Sequence, residues 1–233
     1  GLKFIMTFIF DTYSFDPETR TATFSYRFSD GRAFQEKVTF GAVARKYNTE
    51  VLNRVLRLAF LVIGTSYLKT FPTNEVKVPF TIDSWTASFL NKVYQEGLSQ
   101  FAFENNLTRQ QLPQFTASAH DGEGSSSIGE GAGSIQNAVA YEGDGILTLQ
   151  SGGKDSLLTA QLLQSAEYDF TPWYLSSSEH HPKILDTFKN PVVGAVRSID
   201  HEALSKAKAD GGRNGHVPVT YIVQSIALIQ AVL

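Results

Sequence analysis

The sequence predicts two successive units: a small α+β domain built on an antiparallel meander, then an α/β unit whose parallel sheet carries helices on both faces. Three observations carry this reading. Residues 3–40 alternate apolar and polar side chains, residues 121–134 are almost entirely Gly, Ser and Glu, and from Ile146 onward short apolar runs alternate with helical patterns. The expected organisation is an α+β domain over residues 1–118, a linker or mobile loop over 119–140, and the α/β unit over 141–233. With 233 residues, 42% of them hydrophobic, the chain is long enough for one large core or two small ones.

In the meander, Ala22, Phe24, Tyr26 and Phe28 alternate with Thr21, Thr23, Ser25 and Arg27, and turn residues at Asp16-Pro17-Glu18-Thr19 and Asp30-Gly31 bracket that run. Period two between turns predicts three antiparallel strands. Phe8, Phe10, Phe24, Tyr26 and Phe28 then recur on strand faces, where core packing is expected and not ligand stacking. Over residues 49–67, Val51, Leu52, Val55, Leu58, Ala59, Val62 and Ile63 recur at helical spacing behind Thr49 as a cap. A helix should therefore pack on the meander. The longest oily run, residues 58–64, is seven residues against the about 20 that a membrane span needs, and reads as buried helix. Residues 69–81 are extended around Pro72 and Pro79, and Asp83 opens a second helical pattern reaching about Asn105.

Beyond residue 140 the expected strands cover 146–149, 170–175 and 192–199, with helical stretches at Leu157 to Leu163, at Ile184 to Phe188 and from Ile222 to the last residue. Strands alternating with helices imply parallel βαβ units, whose ligands sit at the carboxyl ends of the strands. The final helix has no Gly, Asn or Pro stop signal, so the expectation is that further chain completes the site and that a chain ending at Leu233 is weakly active or inactive. Lys+Arg number 20 against 23 Asp+Glu, a formal charge of -3, which argues against nucleic acid as the main partner. Zero cysteines remove disulfides, thiolate zinc sites and paired thiol bases. Residues 1–10 lack the long oily core and small-residue cleavage site of an export signal, so a cytoplasmic protein without membrane association is expected. The oligomeric state has no signature in the sequence.

The strongest chemical signal is Ser151-Gly152-Gly153-Lys154-Asp155-Ser156, directly after an apolar strand and directly before a helix. Consecutive glycines let the backbone approach an anion without a Cβ in the way, and the helix start offers unpaired amides and a positive dipole end. Ser151 and Ser156 can add hydroxyls, and Lys154 a cation. Asp155 either caps the helix or holds a magnesium ion that offsets its charge beside a polyphosphate. The spacing is neither Gly-x-x-x-x-Gly-Lys-[Ser/Thr] nor Gly-x-Gly-x-x-Gly. A strand end at Ser176-Ser177-Ser178 should lie beside this loop, where the three serines, Ser176 and Ser177 first, either face a nucleotide or form a solvated turn.

The hexapeptide resembles the Ser-Gly-Gly-x-Asp-Ser loop of the PP-loop ATP pyrophosphatases and matches it at every fixed position. The resemblance implies a PP-loop nucleotide domain with ATP and Mg2+ as cofactors, in which the loop holds the phosphates leaving as pyrophosphate while a substrate oxygen attacks the α-phosphorus. Asp155 and Lys154 are then catalytic candidates, with Asp155 on the metal.

A second marker is Asn214-Gly215-His216-Val217-Pro218-Val219-Thr220, after the Gly211-Gly212 turn, with Pro218 in the first helical turn. Asn214, Gly215 and His216 either present an amide and an imidazole to a bound anion or form an ordinary turn. Together with the meander, Tyr67-Leu68-Lys69-Thr70-Phe71-Pro72, Gln95-Glu96-Gly97-Leu98-Ser99 and the hexapeptide, this segment makes the whole chain similar to the UDP-N-acetylmuramoyl-L-alanyl-L-glutamate epimerase family of bacterial peptidoglycan-precursor enzymes, whose members are longer. The resemblance implies activation of the terminal L-glutamate α-carboxylate of a UDP-muramyl dipeptide as an acyl-adenylate, loss and return of the Cα proton, and release of AMP. Candidate bases are His216 first, then His180, His181, Lys154 and Tyr174. Lys69 and Lys77, with Arg45 and Lys46, either contact a diphosphate sugar or form a solvated face, and His180-His181 lacks a third ligand at a zinc spacing. The alternatives are another PP-loop adenylating enzyme, acting on an amide-forming acid or a tRNA base, and a non-catalytic ATP- or AMP-binding module.

Overall fold

The computed structural model describes residues 6–42, 46–117, 143, 145–178 and 180–233. The meander forms as its period-two pattern requires: β1 (Phe8–Asp16), β2 (Thr21–Phe28) and β3 (Ala33–Phe40) are antiparallel neighbours. Phe8, Phe10, Phe24, Tyr26, Phe28, Phe34, Val38 and Phe40 all point to one face and are buried. Arg20 closes the first hairpin at φ 56°, a left-handed conformation, and its guanidinium donates to the Gly41 carbonyl at 2.7 Å.

Against the aromatic face lies α1 (Thr49–Ile63), with Leu52, Leu56, Ala59, Phe60 and Ile63 buried along one stripe. Its cap is Asn48 and not the expected Thr49: the Asn48 Oδ1 accepts from Glu50 N at 3.0 Å and Val51 N at 3.1 Å, which an Asn one residue earlier reaches in extended backbone. Two buried tyrosines donate to carbonyls near the other end, Tyr26 to Phe60 O at 2.8 Å and Tyr94 to Leu61 O at 2.6 Å. Gly64 follows because a Cβ there would lie 2.6 Å from Phe10 Cε1 and 2.7 Å from the Tyr94 hydroxyl. The short α2 (Thr65–Leu68) is buried throughout. By length and composition residues 49–68 could cross a membrane, but 72% of that stretch is buried inside the fold, the mark of a core helix.

The extended segment contributes β4 (Val76–Lys77), parallel to β1. The second helical pattern divides into α3 (Ser84–Asn91), capped by Asp83, a wide turn over Lys92–Glu96, and α4 (Ser99–Glu104). The expected linker over 119–140 lies outside the described residues. Past it come β5 (Leu147–Leu149), α5 (Lys154–Ser165), β6 (Thr171–Ser176) and β7 (Val193–Ser198), with the three strands parallel. The helical stretch expected at 184–188 is one tight turn, Lys183–Thr187. Two helices close the chain, α6 (His201–Ala209) and α7 (Val219–Val232), with Pro218 at the cap position and not inside the first turn.

All seven strands join in one mixed sheet, β4-β1-β2-β3-β7-β6-β5. The join is the antiparallel β3–β7 ladder, Lys37 opposite Ser198 through Phe40 opposite Ala195. α1 and α7 pack on the aromatic face, which also buries Trp173 and Ala195, whereas Ala160, Phe170 and Leu185 are buried apart from that core.

At the join sits a buried charge pair. Glu36, fully buried, accepts from Arg197 Nε at 2.6 Å and Nη2 at 3.1 Å, and from the Tyr67 hydroxyl at 2.8 Å. Arg197 also donates to Ser66 Oγ at 3.1 Å. Burial and the neighbouring Glu36 carboxylate hold the Tyr67 phenol far above its ordinary pKa, so it remains a donor. Removing one partner strands the other charge in the core. Glu36→Ala should lower unfolding free energy by roughly 3–5 kcal/mol, measured as a shift of the urea midpoint at unchanged slope.

Candidate active site

The β5–α5 loop takes the shape its glycines permit. Gly152 has φ +77°, and a Cβ on it would lie 3.1 Å from the Pro182 ring. The two serine hydroxyls hold the loop to itself: Ser156 Oγ donates to Gly153 O at 3.0 Å and accepts from Ser151 N at 3.2 Å, and Gly153 N donates to Ser151 Oγ at 3.3 Å. Ser151 and Ser156 are therefore engaged as braces, not as free donors. α5 starts at this loop without a side-chain cap. Leu157 N reaches Gly153 O, but the amides of Gly152, Lys154, Asp155 and Ser156 have no acceptor among the described residues. Lys154 and Asp155 are exposed, and the Asp155 carboxylate does not cap the helix. A run of free amides at a dipole's positive end, with a cation and a carboxylate at the rim, is suited to polyphosphate and its metal ion.

Pro182, which touches Gly152, belongs to the β6–β7 connection, and that connection borders a groove of about 270 Å³ on the sheet face opposite the aromatic core. Tyr174, Ser176, Gly194 and Val196 provide its floor, and Ser178, His180, His181 and Arg20 its sides. Of the three serines expected here, Ser176 and Ser178 line the groove, whereas Ser177 is exposed outside it. The reason is a tight turn in which Ser178 N donates to Ser176 Oγ at 2.8 Å. His181 Nε2 lies 2.7 Å from Asp186 Oδ1, so that imidazole is already oriented by a carboxylate. No group of three or more His, Cys, Asp or Glu side chains among the described residues could hold a metal. A larger cavity, about 490 Å³ around Tyr168, Phe170 and Lys189, lies at the amino end of β6, the wrong edge of a parallel sheet for a ligand site.

The second marker assembles elsewhere along the same edge. Gln230 in α7 donates to Ala42 O beside the start of β7, so α7 begins toward the carboxyl end of that strand. There Lys69 Nζ donates to Asn214 Oδ1 at 3.0 Å and Gly215 O at 2.8 Å, and Arg213 N donates to Thr70 O at 2.8 Å. Arg213 Nη1 reaches Asn105 O at 2.9 Å. Cβ atoms on Gly97 and Gly215 would lie 2.9 Å from Pro218 and 2.8 Å from Phe101, so both glycines are needed for close approach. Segments 67–72, 95–99 and 214–220, distant in sequence, thus meet in one cluster. His216 is exposed at its rim.

Compared with known proteins, residues 2–233 match the MurL N-terminal domain. The chain belongs to the MurL N-terminal domain family. Three relatives carry the name UDP-N-acetyl-alpha-D-muramoyl-L-alanyl-L-glutamate epimerase: from Micromonospora sp., 31% identical over 100% of this chain and 51% of its own; from Salinispora tropica, 29% over 100% and 50%; and from Xanthomonas oryzae pv. oryzae, 28% over 98% and 49%. The chain spans about half the length of these relatives. No solved structure matches it.

Within this MurL-type domain, sequence reasoning found the β5–α5 loop and the 214–220 segment but not their neighbours. Arg20 at the groove has no motif that marks it. Lys77 and Lys46 are exposed, whereas Lys69 is half-buried and bonded across the fold, and Arg45 lies outside the described residues. Tyr174 and His180 line the groove, apart from the cluster that holds His216. Because Gly152 is left-handed and packed on Pro182, Gly152→Ala should cost about 1–2 kcal/mol, read as a lower thermal midpoint.

Proposed function

We propose that this chain is the nucleotide-activating part of an ATP-dependent epimerase that converts the terminal L-glutamate of UDP-N-acetylmuramoyl-L-alanyl-L-glutamate to D-glutamate in peptidoglycan precursor biosynthesis. One observation carries the reading: a Ser-Gly-Gly-Lys-Asp-Ser loop whose free amides open α5, within a chain matched along its length by the MurL N-terminal domain. The relatives' names specify the substrate, and the loop supplies the reason for ATP.

The amides of Gly152, Lys154, Asp155 and Ser156 would hold phosphate oxygens, Lys154 would add charge, and Asp155 would hold Mg2+ together with those oxygens. Bound ATP and magnesium supply an electrophilic α-phosphorus and a neutralised leaving group. An oxygen of the glutamate α-carboxylate bonds to that phosphorus, the α–β bridging P–O bond breaks, and pyrophosphate departs. Converting the carboxylate to an acyl-adenylate removes the negative charge that makes Cα–H ionisation costly. A base takes the Cα proton, the enolate is reprotonated on the opposite face, and water releases AMP and the D-glutamyl product. His216, exposed beside Asn214, is the first candidate base. Ser176 and Ser178 in the adjoining groove suit a nucleotide sugar or base edge. A reaction that consumes ATP and a nucleotide-linked precursor belongs in the cytoplasm.

The whole protein incubated with ATP, Mg2+ and the UDP-muramyl dipeptide in deuterated water should form AMP and pyrophosphate only when the dipeptide is present, with one solvent deuterium on the glutamate Cα. ADP with orthophosphate, or an unlabelled Cα, rejects the reading. Asp155→Asn should lower AMP formation by roughly 10²-fold while the thermal midpoint stays put, because the exposed carboxylate supports no fold contact.

A further inference from the structure

Where the segments around Lys69 and Asn214 meet, these two side chains leave donors over. The Lys69 ammonium has three N–H bonds, and two are taken by Asn214 Oδ1 and Gly215 O. Asn214 Oδ1 also accepts from Gly215 N at 2.9 Å, which fixes the amide plane and leaves both Nδ2 hydrogens without an acceptor among the described residues. Among the described residues Lys69 has no carboxylate within ion-pair distance, and both its acceptors are neutral. Of the two arginines around it, Arg197, whose charge acts on Lys69, is committed to Glu36, and Arg213 donates to Asn105 O. Burial, and then the charge of Arg197, push the Lys69 pKa below its ordinary value, as expected of an ammonium that lacks a counter-ion.

We propose that Lys69 and Asn214 together form the receptor for a carboxylate of the substrate's terminal glutamate, a proposal that rests on the epimerase reading. The match is one of charge and geometry. One ammonium N–H and one amide N–H fit a single monovalent carboxylate, whereas the phosphates of ATP find their donors in the run of free amides that opens α5. Binding the carboxylate gives Lys69 the counter-ion that the fold withholds. It also explains why the Lys69 segment and the Asn214 segment are locked by Arg213 N to Thr70 O and by Gly215 against Phe101: both donors are held in place before substrate arrives.

The test measures equilibrium binding of two ligands to the whole protein, UDP-N-acetylmuramoyl-L-alanyl-L-glutamate and the alaninamide UDP-N-acetylmuramoyl-L-Ala-NH2, which lacks the glutamate and any terminal carboxylate. Lys69→Met keeps the aliphatic stem and removes the charge. Asn214→Asp keeps the bond from Gly215 N and gives Lys69 an internal counter-ion, so it should fold at least as stably as the parent. Each should weaken the dipeptide nucleotide by roughly 10–100-fold and leave the alaninamide nucleotide unchanged. Equal weakening of both ligands places Lys69 on the diphosphate or in a structural role and overturns the proposal, as does unchanged binding of the dipeptide nucleotide in Asn214→Asp. Failure of the parent protein to bind either nucleotide overturns the epimerase reading, and this assignment with it.

Discussion

The arrangement of this domain depends on a carboxylate sealed in an aromatic core. Glu36 has no exposed surface and sits among phenylalanines, where an unpaired charge costs several kcal/mol. Its three hydrogen bonds come from two elements, Arg197 on β7 and Tyr67 on α2, so neutralising it fixes the meander, the parallel strands and the end of the long helix against one another. From Tyr67 the chain reaches Lys69 in two residues, and from Arg197 it reaches Asp200, whose amide lies 3.4 Å from the Tyr67 hydroxyl and whose carboxylate caps α6. The pair thereby sets where the donors at Lys69 and Asn214 stand.

Around that pair two kinds of chemistry share the carboxyl edge of the strands. At β5 the offer is backbone amides at a helix start, braced by Ser151 and Ser156. At the start of α7 the offer is an ammonium and a side-chain amide on a rigid turn. The first suits phosphate oxygens and the second a smaller anion, so the two ends of a nucleotide-activated acid would find different partners on one face. The groove below Tyr174 and Ser176 borders the β6–β7 connection, whose Pro182 faces Gly152 of the first.

Much of this was legible in the sequence, and the reasons are local. The meander announced itself through period-two alternation, α1 through its stripe from Leu52 to Ile63, and the loop through two glycines between a strand and a helix. What escaped was what depends on distance in space. Glu36 reads as one more polar residue between Gln35 and Lys37, and nothing in its neighbours reveals Arg197, 161 positions away. Lys69 reads as a solvated lysine until Asn214 is placed beside it. α6 lies outside the expected elements, although Asp200 at its cap, Glu202 in its first turn and Lys206 and Lys208 in its last are the charges a helix dipole favours. That the Ser151 and Ser156 hydroxyls bond their own loop does not show in a motif.

The β3–β7 ladder carries a consequence for ancestry. Its backbone bonds join a meander to parallel strands of different topology, and Gly41 approaches so closely that a Cβ would lie 2.5 Å from Gly194 O. A recombination event that exchanged either portion for a foreign one would have to match strand register, a side-chain-free crossing and the sign of a hidden charge at once. Inheritance of this pair of portions as a single block is what such a seam enforces.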